Sequence, residues 1–197
     1  FCNMLNFDVI NPTRILFGDN HYDKLPSLIA NSTSKKKILL TYGGGSIFKN
    51  GVFDKVTEFL TEYEVIQFGG IEANPEFTTL MKAVEICREQ EIDFILAVGG
   101  GSVIDGTKFI TGAVKYDGDP WDVLLRKEDK VFTEAISFGT VLTLPATGSE
   151  ANSGAVVSRS ELNEKRTMGG PLFFPQFSLC DPNVVASLPP RQIANGI

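Results

Sequence analysis

Twice in this chain an uninterrupted apolar run ends in three glycines and a serine and then gives way to a helical pattern. The first run is Ile38-Leu39-Leu40-Thr41-Tyr42, closed by Gly43-Gly44-Gly45-Ser46. The second, within a strand read as Asp93 to Val98, is apolar from Phe94 and is closed by Gly99-Gly100-Gly101-Ser102. Strands apolar at every position are buried on both faces, the pattern of a parallel sheet covered by helices on either side. The expected fold is therefore α/β: a Rossmann-like parallel sheet with flanking helices.

The intervening residues keep the alternation. Phe48, Val52, Val56, Phe59 and Leu60 predict one helix after the first glycine turn. Glu64 to Phe68 reads as a strand. Asn74-Pro75-Glu76 then opens a helix, with Asn at the cap and Pro at the first helical position. Phe77, Leu80, Met81, Val84 and Cys87 share one face of it. A further helix runs from Ser102 to about Tyr116. Upstream, Asp8 to Ile10 and Arg14 to Phe17 read as two short strands, followed by a helix near Asn20 to Ala30. Downstream, Trp121 to Leu125 is a short helix, and Ile136 to Leu144 a strand broken by Gly139. Gly154 to Arg159 and Lys165 to Met168 form a β-hairpin, and Phe177 to Cys180 a last strand. The run Leu188 to Ile197 reads as the start of another helix.

Among 197 residues, Lys plus Arg number 18 and Asp plus Glu 24, a net charge of −6. That balance argues against a nucleic-acid surface. No apolar run reaches the ~18 residues of a membrane span. The one histidine, His21, cannot build a zinc site of several His, and any Ser–His–Asp triad would have to use it; it reads as a loop or capping residue. Three widely spaced cysteines without a CxxC pair point away from a disulfide framework and towards a reducing, cytoplasmic compartment. Cys87 falls on an apolar helix stripe and Cys180 in a buried strand.

The glycine turns carry the chemistry. Without Cβ atoms at the carboxyl end of a buried strand, backbone amides approach an anion closely, and the following helix offers it unpaired N–H groups. A tight structural turn is the other reading, with Ser102 capping the helix and Asp105 completing a capping box. Two phosphate motifs fail here. GxGxxG needs glycine where Ile104 and Phe48 stand, and the Walker pattern is spoiled because Thr107 precedes Lys108. Two anion-friendly turns on one sheet suit a ligand with phosphates at two places, such as NADP. Residues 41 to 51 hold no carboxylate for a ribose 2′-hydroxyl, which favours NADP over NAD. Thr143-Leu144-Pro145-Ala146-Thr147-Gly148-Ser149-Glu150 ends a further strand with hydroxyls; Thr147 and Glu150 also fit a capping box. Lys165 either neutralises a phosphate or is simply solvated.

These pieces together resemble the iron-containing, group III alcohol dehydrogenase family, and within it the NADPH-dependent butanol dehydrogenase and aldehyde reductase branch. The resemblance rests on Tyr42 to Ile47, Asn74-Pro75, Gly99 to Asp105 with Lys108, Pro145 to Glu150, Asp181-Pro182 and Leu188 to Gln192. It implies that Gly43, Gly44 and Ser46 hold the adenosine end, with Ser46 near the 2′-phosphate. Asn74 and Pro75 would line the cofactor cleft, and Gly99, Gly100, Gly101 and Ser102 would take the pyrophosphate. Asp105 would stand by the nicotinamide as the catalytic candidate. Thr143, Leu144, Thr147 and Ser149 would form the adenine and ribose wall, and Lys165 would contact the ribose. The family usually has Thr where Leu144 stands, so contact there would be apolar or through the backbone. The resemblance further implies a homodimer acting on a small alcohol or aldehyde. It also implies a separate helical domain whose Asp and His residues hold Fe2+ or Zn2+. Residues 1–188 then read as the dinucleotide-binding domain and 189–197 as the opening of that helical domain, a segment expected to be inactive alone. A nucleotide-binding module without catalysis and a related polyol dehydrogenase or lyase are the alternatives.

Overall fold

The computed structural model describes residues 10–19, 21–186 and 188. The expected strand at Asp8 and Val9, the start of the first helix at Asn20 and the helical segment 189–197 lie outside those residues. In chain order the described elements are β1 (Arg14–Phe17), α1 (Leu25–Ala30), β2 (Lys37–Thr41), α2 (Ser46–Lys49), α3 (Val52–Glu58), β3 (Glu64–Phe68), α4 (Phe77–Glu89) and β4 (Phe94–Gly100). They continue with α5 (Gly101–Lys115), α6 (Pro120–Leu124), β5 (Ser137–Leu144), β6 (Ala155–Arg159), β7 (Glu164–Met168), β8 (Phe177–Cys180) and α7 (Pro182–Ala186).

Six strands form one sheet in the order β1-β8-β5-β4-β2-β3, every pair parallel. Its two faces are read by alternate residues of the same strands. Phe94, Leu96 and Val98 of β4 pack with α1, α3 and α7, while Ile95 and Ala97 pack with α4, α5 and α6. Nearly all of these side chains are fully buried, which accounts for the unbroken apolar runs in the sequence. The antiparallel hairpin β6–β7 lies outside the sheet and packs on α5 and α4.

Four local expectations are corrected. The first glycine turn is followed by two helices, because Gly51 takes a left-handed φ of 74° and separates α2 from α3. The second apolar run does not stop at Gly99: β4 pairs through Gly100, and α5 begins at the next residue with no intervening loop. Gly139 does not break β5; the ring of Phe177 lies where its Cβ would be, 2.3 Å away, so the missing side chain admits a neighbour's. Helix α4 begins at Phe77 with Glu76 at its cap position, so Asn74 and Pro75 stand before it rather than within it.

Candidate functional site

Strand β2 leads outward to β3, and the chain then crosses back to place β4 on the other side of β2. The direction of winding therefore reverses between β2 and β4. In open parallel sheets the crevice beyond such a switch point, at the carboxyl ends of the strands, is where ligands bind. The first glycine triplet follows β2 and the second spans the junction of β4 with α5, so the topology brings residues more than fifty positions apart to one crevice. A cleft of about 700 Å3 opens there, lined by Gly43, Gly44, Ser46, Gly100, Gly101, Ser102, Thr143 and Leu144 among the expected residues.

The glycines divide by cause. A Cβ at Gly99 would fall 2.5 Å from Val103 Cγ2, and one at Gly101 2.3 Å from Thr147 Oγ1. Those two let strand, helix and the following loop close on one another. Gly45 holds a left-handed φ of 87° at the start of α2. At Gly44 nothing stands within 4 Å of a Cβ position. Packing does not require that glycine, which leaves an exposed backbone edge open to the cleft.

Ser102 does not cap α5. The cap position is Gly100, no side chain caps the helix, and the Ser102 hydroxyl instead donates to the Ala73 carbonyl at 2.5 Å. The first-turn amides of this fifteen-residue helix thus have no side-chain acceptor where they meet the cleft, and the helix dipole adds positive potential there. Asp105 is turned away from the helix start: Ser149 Oγ donates to it at 2.7 Å and the Val156 amide at 3.1 Å. Burial pushes its carboxyl up, opposed by the Ser149 hydroxyl, the Lys108 charge and the Val156 amide. The Thr147–Glu150 capping box is absent too. Gly148 precedes a short 3-10 turn at Ser149–Ala151, Thr147 Oγ1 exchanges a 2.8 Å bond with Ser149 Oγ, and buried Glu150 Oε2 accepts nothing among the described residues.

Gly99, Asn74, Pro75, Asp105, Thr147, Ser149 and Lys165 stand beside or behind the cleft lining. Lys165 Nζ donates to Asn74 Oδ1 at 2.8 Å, next to Ala73, which lines the cleft. Three further polar groups there escaped the sequence reading: Lys49, Asn50 and Glu72. Lys49 lies three residues after Ser46 on the same turn of α2, a spacing that local inspection can find. Glu72 had no local signal, since it follows β3. Its carboxylate accepts from Thr79 Oγ1 at 2.6 Å and from the Glu76 amide at 3.4 Å, satisfying donors at the start of α4.

His21 makes no side-chain cap; its Nε2 lies 3.1 Å from the Phe17 carbonyl and its Nδ1 3.0 Å from Lys24 Nζ. Cys87 is buried, its thiol pushed up to about 12 by burial. Cys180 is only half-buried, pushed up to about 11 by burial and by the Glu150 charge. Among the described residues no group of three or more His, Cys, Asp or Glu side chains is placed to hold a metal ion, and no helix is long and apolar enough to cross a membrane.

The family model for iron-containing alcohol dehydrogenase matches residues 12–182. The NADPH-dependent aldehyde reductase YqhD of Escherichia coli is 48% identical over 98% of this chain and 50% of its own length. NADH-dependent butanol dehydrogenase A of Clostridium acetobutylicum is 42% identical over 98% of this chain and 49% of its own. Among solved structures, NADH-dependent butanol dehydrogenase A of Thermotoga maritima superposes with a TM-score of 0.91 at 36% identity, over 97% of this chain and 48% of that one. The chain spans about half the length of the curated relatives it matches.

Proposed function

Because the chain belongs to the iron-containing alcohol dehydrogenase family, we propose that it is the nucleotide-holding part of an oxidoreductase passing hydride between NADP(H) and a primary alcohol or aldehyde. One observation carries this reading: two glycine turns from separate strands line a single cleft at the sheet's switch point. The bare amides of α5 and the Gly100–Ser102 backbone would receive the pyrophosphate. The open backbone at Gly44, the Ser46 hydroxyl and the Lys49 ammonium would receive the 2′-phosphate. Thr143 and Leu144 would wall the adenosine side, and Lys165 would stand at the ribose. The nicotinamide ring, when bound, supplies the hydride donor or acceptor, and the protein's part is to orient it. Asp105, with both carboxylate oxygens occupied, would fix the loop that carries Ser149 rather than exchange protons with substrate. No step is assigned to a metal, since the described residues offer it no ligand set.

Glu72 supports a second reading of cofactor choice. A carboxylate in the same cleft is the group that an NAD site offers to a ribose 2′-hydroxyl. Its bonds to Thr79 and Glu76 hold it to the start of α4, which favours NADP. Titration calorimetry with NADPH and NADH decides. The expected result is NADPH bound at least about tenfold more tightly, the ~1.4 kcal/mol or more that a charge-assisted phosphate contact supplies. Equal affinity would remove the NADP assignment, and no binding of either would remove the cofactor site.

A further inference from the structure

The inner side of α5 carries an ammonium group that the cofactor reading does not use. Lys108 is fully buried, yet its Nζ donates to Asn152 Oδ1 at 3.0 Å and to the Gly154 carbonyl at 2.8 Å. Three residues earlier on the same helix face, Asp105 accepts from Ser149 Oγ and from the Val156 amide. Two side chains of one helix thus hold the segment 149–156 at four points. Asn152 Oδ1 also accepts the Gly154 amide at 2.9 Å, so the clamp closes on an already folded turn.

That segment joins the two parts of the cleft. Just before it, Thr147 packs against Gly101, in the space a Cβ there would need. At its end it becomes β6, whose partner β7 presents Lys165 to Asn74 beside the cleft. We propose that Lys108 is a positioning residue for the cofactor: by pinning residues 152–154 to α5 it sets where the hairpin lies, and so where Lys165 meets the nucleotide. The inference rests on the NADP(H) reading above. An apolar side chain of the same length would fill the space but leave the Gly154 carbonyl without its donor, and an unpaired buried carbonyl is costly. Burial pushes the Lys108 ammonium down to about 8, opposed by the Asp105 and Glu150 charges. The neutral amine still has two N–H groups for its two acceptors, so the clamp holds on either side of that pKa.

A double-mutant cycle on NADPH binding to this chain separates positioning from general support. Lys165→Met is expected to weaken NADPH about tenfold, and Lys108→Met to weaken it by a similar factor. The double variant should bind no worse than Lys165→Met alone, because Lys108 acts through Lys165. Lys108→Met binding like the unaltered chain would overturn the proposal. So would a double variant whose loss is the product of the two single losses, since that is what an independent structural role gives. If Lys108→Met does not fold, Lys108→Gln, which keeps a donor but is too short for both acceptors, enters the cycle with the same expected outcomes. An unaltered chain that fails to bind NADPH would remove the function proposed above together with this inference; one that binds but shows no coupling would remove this inference alone.

Discussion

Gly44 and Gly101 are the same residue for different reasons, and substitution tells the reasons apart. With open space at its Cβ position, Gly44→Ala should leave stability within about 0.5 kcal/mol of the parent. It should nevertheless weaken NADPH about tenfold, because the new methyl group occupies backbone surface meant for the nucleotide. Gly101→Ala drives a Cβ to 2.3 Å from Thr147 Oγ1 and is expected to cost about 1–3 kcal/mol in urea denaturation. Adding Thr147→Ala should recover most of that loss, and its failure to do so would show the strain to lie elsewhere. The sequence displays both glycines and the hydroxyls of Ser46, Ser102 and Thr143, because a triplet of glycines after a buried strand has few uses. It does not display Glu72, whose place in the cleft depends on how β3 lies beside β2. Residues 41–51 hold no carboxylate, and the sheet delivers one to the same cleft from outside that window.

Among the elements, strands were legible and helix starts were not. Phe177–Cys180 falls where its apolar run places it, since burial on both faces is written into consecutive residues, and the edge strand Glu64–Phe68 falls where Val65, Ile66 and Phe68 place it although none of its residues is fully buried. The helix caps went astray because each capping side chain has a better partner far along the chain. Asn74 is taken by Lys165, Ser102 by the Ala73 carbonyl, and Asp105 by Ser149 and Val156. Beyond the Lys108 and Asp105 clamp at its base, the hairpin is held by similar long-range contacts: the Ser158 amide to the Pro75 carbonyl, Ser160 to the Glu76 carboxylate, and the Arg159 guanidinium 4.6 Å from the Phe77 ring centroid and 5.6 Å from that of Trp121. Arg159→Ala should cost roughly 1–2 kcal/mol, the scale of such cation–π contacts when partly desolvated. Amide hydrogen exchange should show the loss as faster exchange across 155–168 with β4 and β5 unchanged. Equal acceleration in all of these strands would mean that the hairpin is not a separately held element.

For the whole molecule, the sheet class followed from the sequence but the strand order did not, because β8 enters between β1 and β5 from far along the chain. The buried titratable groups give the molecule a pH response with two opposing parts. Lys108 has its folded pKa lowered, so the unfolded chain binds the extra proton between about 8 and the ordinary lysine value of 10.5. Stability from this group therefore rises as pH climbs through that interval. Cys87 and Cys180 have raised pKa values, so the unfolded chain loses their protons first and stability falls as pH rises above about 9. Denaturation free energies should increase from pH 8 to 9 and then turn over. Lys108→Met should abolish the first rise and keep the later fall; persistence of the rise in that variant would assign it to another group. The start of α5 carries no capping side chain. A helix that ends its first turn without an acceptor is incomplete until an anion arrives, so the nucleotide serves as its missing cap. On the proposed reading, heat resistance becomes a gauge of coenzyme supply: the melting temperature should climb with the logarithm of NADPH concentration once that exceeds the dissociation constant.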